Sequence, residues 1–190
     1  MALKLLSEPA VEPLSLAETK VHLRVDASDE DAFIASLITT ARLQVETALN
    51  LALITQQQQW LADHWPAGGI VELPVRPLQS VDAIRVYDSE DVVRLLDPTS
   101  YTVDRASDVP RIALSTEDRL DPGVPLNGIE IDVTVGFGAT ENDVPRNIRQ
   151  ALLLLTAFWF EHRDPVNAGH VQSLPEAVSG LLEPYRIVRL

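Results

Sequence analysis

The segment from Gly136 to Asp143 contains residue types that can bind a phosphate. It reads GFGATEND, and a proline and a long apolar run follow it. Backbone N–H groups of a glycine-rich turn before a helix can hold an anion. However, Glu141 stands where a dinucleotide loop needs its third glycine, and the segment lacks the lysine of a P-loop. We therefore predict that Gly136 and Gly138 permit a sharp strand-to-helix corner, which Pro145 completes at the start of the helix.

A second candidate for chemistry is the run Glu161-His162-Arg163-Asp164. One histidine and two acids can ligate a metal or act as an acid and a base. Zinc motifs place their ligands on one helix face, as in H-E-x-x-H, and this spacing is absent. A histidine and an arginine near a helix C-terminus are expected from the helix dipole alone. We expect no metal, no cofactor and no catalytic residue, and an acid–base hydrolase using His162 and Asp164 stays as an alternative.

Two tryptophans, Trp60 and Trp65, are the third candidate. Exposed indole rings can stack on sugars or bases. Buried indole rings anchor a small β layer instead. The first case would make the chain a ligand-binding module of carbohydrate type, and this hypothesis stays open beside that of two buried tryptophans.

The composition excludes several classes of protein. The chain of 190 residues has 46% hydrophobic residues, which is ordinary for a globular protein. It has 15 Lys+Arg against 28 Asp+Glu, a net charge of -13, which disfavours nonspecific binding to nucleic acid or to an anionic membrane. No cysteine is present, so a disulfide scaffold and a thiolate metal site are excluded. We expect a soluble intracellular protein without a membrane span.

The first third of the sequence predicts helices. Ser15-Leu-Ala-Glu18 has the pattern of a capping box, and a short helix to about Val25 is expected after it. The acids of Ser28–Asp31 favour a second helix start. This helix should continue to Ala48 or Asn50, with one apolar face made mainly by Phe33, Leu37, Ala41, Val45 and Ala48.

The middle of the sequence predicts short strands separated by turn residues. The alternating run Ile129–Val135 gives the clearest strand and should bury its four Ile and Val side chains. The other predicted strands are Thr55–Ala62, Ile70–Leu73, Val81–Tyr87, Val92–Leu96, Tyr101–Asp104 and Arg111–Leu114.

The last third again predicts helices. The long one should begin at Val144-Pro145 and reach about His162, and its part Ala151–Phe160 is apolar on nearly every face. Such a helix is either fully buried or covered on one side by a partner. Leu154 and Phe158 form its second apolar stripe. A further capping box at Ser173–Glu176 predicts a short helix that ends before Pro184.

Together these patterns predict an α+β fold. A helical core should form from residues 1–53 and 139–190, with a β-rich insertion over residues 54–138. The tail Pro184–Leu190 mixes apolar, aromatic and arginine residues, which are enriched in interfaces, although a frayed terminus fits equally well.

The order of these segments resembles the head–tail connector (adaptor) proteins of long-tailed phages and of related gene transfer agents. The resemblance covers nearly the whole chain, and its most specific part is a glycine–aromatic–glycine turn, a Val-Pro pair and a helix with aromatic and basic residues at its end. The residues that carry it are Gly136, Phe137, Gly138, Val144, Pro145, Ile148, Ala151, Trp159 and Arg163, with Leu174, Pro175, Leu181, Leu182, Pro184, Tyr185 and Arg186 near the C-terminus.

The resemblance implies a subunit without enzymatic activity in the neck of a virion, assembled in the bacterial cytoplasm. It implies that about a dozen copies dock on the portal protein as a ring, through which DNA passes without sequence-specific binding. The ring would then receive the next neck or tail protein. The candidate contacts to the portal or to neighbouring subunits are Leu154, Phe158, Leu182, Tyr185, Arg186, Ile187, Val188, Arg189 and Leu190.

Overall fold

The fold comprises two units, each built from two separate stretches of the chain. A computed structural model describes residues 1–115, 119–162 and 176–187. One unit, here called the β unit, contains Met1–Ala10 and Thr55–Phe137. The other, the helical unit, contains Val11–Ile54 and Gly138–Leu190. Helices and antiparallel sheets are both present, which confirms the predicted α+β class.

Eight strands build the β unit, and every strand pair in it is antiparallel. A five-stranded sheet has the order β1-β2-β8-β4-β5, and a three-stranded sheet has the order β3-β7-β6. The strands are β1 (Ala2–Ser7), β2 (Gln56–Ala62), β3 (Ile70–Glu72), β4 (Leu78–Tyr87), β5 (Val93–Leu95), β6 (Tyr101–Asp104), β7 (Arg111–Leu114) and β8 (Ile129–Val135).

Strand β8 is the centre of the larger sheet. Its alternating sequence buries Ile129, Ile131, Val133 and Val135 completely, as predicted, because one face of the strand points into the apolar core. On that face Ile131 lies between Trp60 of β2 and Ile84 of β4. The opposite face of β8 carries polar side chains that are half-buried.

Four helices build the described part of the helical unit. They are α1 (Leu16–Leu23), α2 (Asp31–Leu49), α3 (Arg146–Glu161) and α4 (Glu176–Leu182). Helix α1 contacts α2 and α3, α2 contacts α3, and α4 contacts α3. Helices α1 and α2 both end at a residue in the left-handed conformation, Arg24 and Asn50, which turns the chain away from the helix axis.

The start of α1 differs in one respect from the predicted capping box. The Ser15 hydroxyl accepts a hydrogen bond from the Glu18 N–H at 3.1 Å, as the pattern requires. The Glu18 carboxylate instead accepts a hydrogen bond from Arg149 of α3 at 2.6 Å. Glu18 therefore links α1 to α3 through an ion pair.

The buried face of α2 is rotated from the predicted one. Ala41 and Val45 are buried as expected, but Phe33 and Leu37 are only half-buried and Ala48 is exposed. The residues that fill the face are Ile34, Ile38, Ala41, Arg42, Val45 and Leu49. Arg42 occupies a place in this row because two carboxylates neutralise it, as described below.

The predicted helical segment 1–53 was wrong for its first ten residues. Residues 2–7 form β1, which pairs with β2 and belongs to the β unit. All six residues of β1 are exposed, so the strand has no buried face that would produce an alternating sequence pattern. No helix within the described ranges is both long and apolar enough to cross a membrane.

Candidate assembly surface

The glycine corner has the backbone geometry that its sequence predicts. Gly136 has φ +126°, a region that residues with a side chain rarely adopt. Its N–H donates to the Pro77 carbonyl at 2.9 Å, and its own carbonyl accepts from Gln79 Nε2 at 2.8 Å. The N–H and the carbonyl of Gly136 are thus both hydrogen-bonded within the β unit, and the N–H is not available to a phosphate.

The residues that follow form the start of α3. A Cβ built on Gly138 would lie 2.3 Å from Cγ of Asp143, so this position has room only for glycine unless Asp143 moves. The Asp143 carboxylate accepts hydrogen bonds from the Thr140 N–H and hydroxyl, each at 2.8 Å. These bonds lower the pKa of Asp143 below its usual value. Pro145 stands at the N-cap of α3, at the predicted start of the helix. An ionised, exposed Asp143 at this helix start would repel a phosphate.

Of the run at the end of α3, the structure describes Glu161 and His162. His162 stacks on Phe158 with ring centroids 4.5 Å apart, and its Nδ1 lies 2.8 Å from the Phe158 carbonyl oxygen. The imidazole therefore packs against the last turn of the helix and contacts its backbone. Arg163, Asp164 and His170 lie outside the described residues, so the hydrolase alternative is not placed. Among the described residues, no group of three or more His, Asp or Glu could hold a metal ion.

The tryptophans do not form a binding surface. Trp60 is 3% exposed and Trp65 is 9% exposed. The Trp65 Nε1–H donates to the Leu120 carbonyl at 2.6 Å, which satisfies its polar group inside the β unit. Since stacking on a sugar needs an open ring face, the carbohydrate alternative loses the residues on which it depended.

Helix α3 carries two apolar stripes, and the chain itself covers both of them at least in part. Ile148, Leu152 and Leu155 of its first apolar stripe are completely buried, and Trp159, which continues this stripe, is half-buried. Leu154 and Phe158 of the second stripe are half-buried. A neighbouring subunit can therefore reach these two side chains only in part.

The C-terminal candidates divide into buried and accessible residues. Helix α4 packs on α3 and buries Val178 and Leu182, and Leu182 is only 1% exposed. Leu182 thus belongs to the core of the helical unit and not to its surface. Tyr185 and Ile187 are half-buried, whereas Arg186 is exposed and lies 3.5 Å from the Glu183 carboxylate. Val188, Arg189, Leu190 and the predicted cap at Ser173 lie outside the described residues.

A buried ionic cluster, which the sequence did not reveal, joins three parts of the helical unit. Arg42 Nε donates to Glu12 at 2.8 Å, and its Nη1 donates to Glu46 at 3.0 Å. Glu46 also accepts the Leu53 N–H at 2.8 Å, and Glu12 accepts the Thr39 hydroxyl at 2.9 Å. We call Arg42, Glu12 and Glu46 the buried cluster. It fixes the segment before α1 and the segment after α2 to the α2 helix.

Burial and pairing act against each other in this cluster. Burial raises the pKa of Glu46, although the Leu53 N–H and the Arg42 charge counteract it. Burial by itself would lower the pKa of Arg42, but the hydrogen bond to Glu12 and the two carboxylate charges raise it. The guanidinium therefore keeps its charge, and the cluster serves a structural purpose.

The β unit carries a comparable set of charges on the polar face of its larger sheet. Arg85 of β4 donates to Asp132 of β8 and lies 3.5 Å from Glu130. Gln59 of β2 donates to both carboxylates, at 3.2 and 2.9 Å. We call Arg85, Gln59, Glu130 and Asp132 the sheet network. It links three neighbouring strands side by side, with Gln59 buried and the three charged side chains partly open to solvent.

Comparisons with known proteins support an assembly role. A family model of phage gp6-like head-tail connector proteins matches residues 13–92. A chain in the neck of an empty gene transfer agent (GTA) particle, computed with C6 symmetry, has 30% identity and a TM-score of 0.83. That match covers 100% of this chain and 97% of the other. No curated protein sequence matches.

Two further solved structures agree over the same span. A chain in the virion of a native GTA particle has 27% identity and a TM-score of 0.86, and one in the neck of a native GTA particle computed with C12 symmetry has 27% and 0.82. Each match covers 100% of this chain and 97% of the other. The protein belongs to the head-tail connector family. Its role is that of a structural connector in a particle neck.

Proposed function

We propose that this connector docks on a portal protein, forms a ring of identical subunits around the DNA channel and joins the capsid to the tail. The observation that carries the proposal is the match over nearly the full length of both chains to necks computed with C12 and C6 symmetry. Copies in a closed cyclic assembly form a ring. We also propose that assembly takes place in the bacterial cytoplasm.

The role is passive with respect to chemistry. Gly136 and Gly138 belong to a backbone corner, and His162 lies at the end of helix α3. The net charge of -13 means that a DNA phosphate backbone is repelled by the protein as a whole. A channel wall of this charge lets DNA pass without gripping it.

Electron microscopy of the full chain mixed with the portal protein of the same particle tests the proposal. Rings stacked coaxially on the portal are expected. Portal particles without added density, at micromolar concentrations of both proteins, would overturn the docking role.

We assign the portal contact to the C-terminal tail. Deletion of residues 184–190 should abolish portal binding and leave the fold intact, since α4 with its buried Leu182 is retained. The Arg186→Glu variant tests the same surface with one changed side chain, because Arg186 is exposed. Arg105→Glu is the matched control, an equal charge change at an exposed arginine of the β unit. Full portal binding by the truncated protein would contradict the assignment.

A further inference from the structure

Helix α2 distributes its charges in the opposite way to an ordinary surface helix. Such a helix normally turns its charged residues toward water. All of α2 lies in the described part of the chain, and none of its exposed residues is charged. These exposed residues, here called the α2 face, are Ala32, Ala35, Ser36, Thr40, Leu43, Gln44, Thr47 and Ala48.

The charged residues of α2 are all paired within the same copy. Asp31 lies 2.5 Å from Lys20 of α1, and Arg42 and Glu46 belong to the buried cluster. The α2 face is therefore uncharged over the length of the helix, and Leu43 near its centre is 52% exposed. Depletion of charged residues distinguishes the core of a protein interface from the rest of a protein surface. The α2 face has this composition.

Helix α3 has a second surface of the same kind. We call it the α3 face, and it consists of Asn147, Gln150, Leu154, Ala157 and Phe158. Their spacing of three or four residues places them on one side of the helix. Two are exposed and three are half-buried, so a partner can reach them. Between the terminal residues of α3 the only charged residue is Arg149, which is paired with Glu18 at 2.6 Å.

The two faces differ in the size of their side chains. The α2 face has mainly Ala, Ser and Thr, which allow a second helix to approach closely. The α3 face carries Leu154 and Phe158, whose larger side chains can fill the space above such small residues. The two faces are therefore complementary in shape as well as equally free of charge.

The lack of charge indicates that the partner is a second copy of the chain. Each copy has a net charge of -13, and like charges brought together across an interface repel each other. A different partner protein can offer basic residues to an acidic surface. An identical copy has the same excess of acids, so that a contact between copies is favoured where both surfaces lack them.

A ring also requires two different faces on each copy. In a ring of more than two copies, one surface of a subunit contacts a different surface of the next. The α2 face and the α3 face lie on different helices of one unit, so they can serve as such a pair. The matched necks were computed with C6 and C12 symmetry, which are cyclic arrangements of this type.

We propose that the α2 face of each copy packs on the α3 face of the next copy in the ring. This interface rests on the proposed ring function and names the surfaces through which neighbouring subunits meet.

An added charge on the α2 face tests the interface. Leu43→Glu places a carboxylate in the middle of this face and should abolish ring formation, seen by electron microscopy with and without the portal. Leu43→Gln has nearly the same size without the charge and should still form rings. Leu126→Glu is the matched control at a leucine of the β unit that is 70% exposed, and it should assemble like the original.

Cysteine cross-linking tests which face α2 meets, because the chain has no native cysteine. Thr40→Cys and Leu154→Cys each lie near the midpoint of their helix, so their separation hardly depends on whether the helices run parallel or antiparallel. The two variants are mixed in equal amounts, assembled into rings and treated with a flexible bismaleimide. Covalent dimers should appear in the mixture and in neither variant alone. A mixture of Thr40→Cys with Thr102→Cys, an exposed site of the β unit, should stay monomeric.

The outcomes separate the interface from the function. Rings from Leu43→Glu, or rings of the cysteine mixture without covalent dimers, would overturn the interface and leave the ring function intact. Dimers from Thr40→Cys alone would show that α2 meets α2, which also overturns it. Loss of rings in Leu126→Glu as well would show that an added charge at any exposed site prevents assembly, and the assignment to α2 would fall.

Failure of the unmodified chain to form any ring, with or without its portal, would overturn the proposed function and the interface together. Circular dichroism of each variant establishes that it is folded.

Discussion

The ionic clusters of the two units differ in how far their arginine is exposed to solvent. In the helical unit the guanidinium of Arg42 and the carboxylate of Glu46 are almost removed from solvent, with side chains 9% and 10% exposed, and only Glu12 at the edge of the cluster is more open, at 31%. In the β unit the sheet network keeps Arg85, Glu130 and Asp132 between 18% and 26% exposed. Both groups contain one arginine and two acids. Their surroundings therefore decide how much each contributes to stability.

The difference teaches what each cluster can do for the fold. A buried ion gains little over an apolar residue of the same shape, but losing its partner leaves an uncompensated charge in a poor solvent. When one member of a partly solvated ion pair is removed, water solvates the charge that remains. The buried cluster thus makes the helical unit sensitive to single substitutions, whereas the sheet network tolerates them.

The largest effect is expected for Arg42→Ala. The change leaves Glu46, whose side chain is 10% exposed, and the half-buried Glu12 without their cation, and it should destabilise the protein by about 3–5 kcal/mol. Urea unfolding measured by circular dichroism gives this value. The control is Gln44→Ala at an exposed site of the same helix, which should stay within about 0.5 kcal/mol of the original. A cost below 1 kcal/mol for Arg42→Ala would show that the cluster is not buried in solution.

The next largest loss of stability is expected at the strand-to-helix corner, where Asp143 occupies the space that a side chain at position 138 would need. Gly138→Ala brings a methyl group against Asp143 and should cost about 1–3 kcal/mol. The Gly138→Ala/Asp143→Ala double variant should cost less than the sum of the two single variants, because the clash is gone. Gly180→Ala is the matched control: nothing lies within 4 Å of its added Cβ, so it should be neutral or slightly stabilising. Additive costs at Gly138 and Asp143 would rule out the close contact.

A smaller effect is expected for Arg85→Ala in the sheet network. Solvent replaces the lost partner of Asp132 and Glu130, so the cost should be about 1 kcal/mol. Arg94→Ala provides the comparison, since the Arg94 side chain is 60% exposed and should contribute still less. If Arg85→Ala cost as much as Arg42→Ala, the contrast between the two units would be wrong.

The smallest effects are expected in the pH dependence, where two carboxylates should behave oppositely. The pKa of Asp143 is lowered from 3.8, so its stabilising contribution is present above this pH and is lost as the pH falls through the folded-state value. The pKa of Glu46 is raised from 4.5, so its contribution is fully present below this pH and is lost as the pH rises through the folded-state value.

Urea unfolding of Asp143→Asn and Glu46→Gln between pH 3 and pH 7 would measure this contrast. Relative to Asp143→Asn, the original protein should lose stability on acidification. Relative to Glu46→Gln, it should lose stability as the pH rises. Equal trends for the two variants would contradict the assigned directions.

Much of the fold follows from sequence patterns where burial is regular. Strand β8 is predicted residue for residue because it is central and has one buried face. Strands β6 and β7 also have the predicted bounds, and α2 ends at Leu49, within the predicted range. Strand β1 could not be predicted in this way, because an edge strand with both faces exposed has no periodic pattern. Its place depends on pairing with β2, more than fifty residues away in the chain.

The candidate site was predictable only in part, because contacts distant in sequence determine it. The glycine corner follows from local backbone needs, and the structure places it as expected. Arg42 is not on the predicted apolar face of α2, and its partner Glu12 lies thirty residues before it in the chain. Leu182 looked like an interface residue, yet packing of α4 on α3 buries it. The two tryptophans are core residues because contacts with residues distant in sequence bury them.

The first strand of the β unit comes from a part of the chain that two helices separate from the other seven strands. A gene segment coding only for residues 55–137 would therefore yield an incomplete sheet with β2 as its bare edge. Residues 1–10 act as a strand donor and the rest of the β unit as its acceptor. The β unit thus resembles a split protein, because its two segments are connected only through the helices that lie between them in the chain.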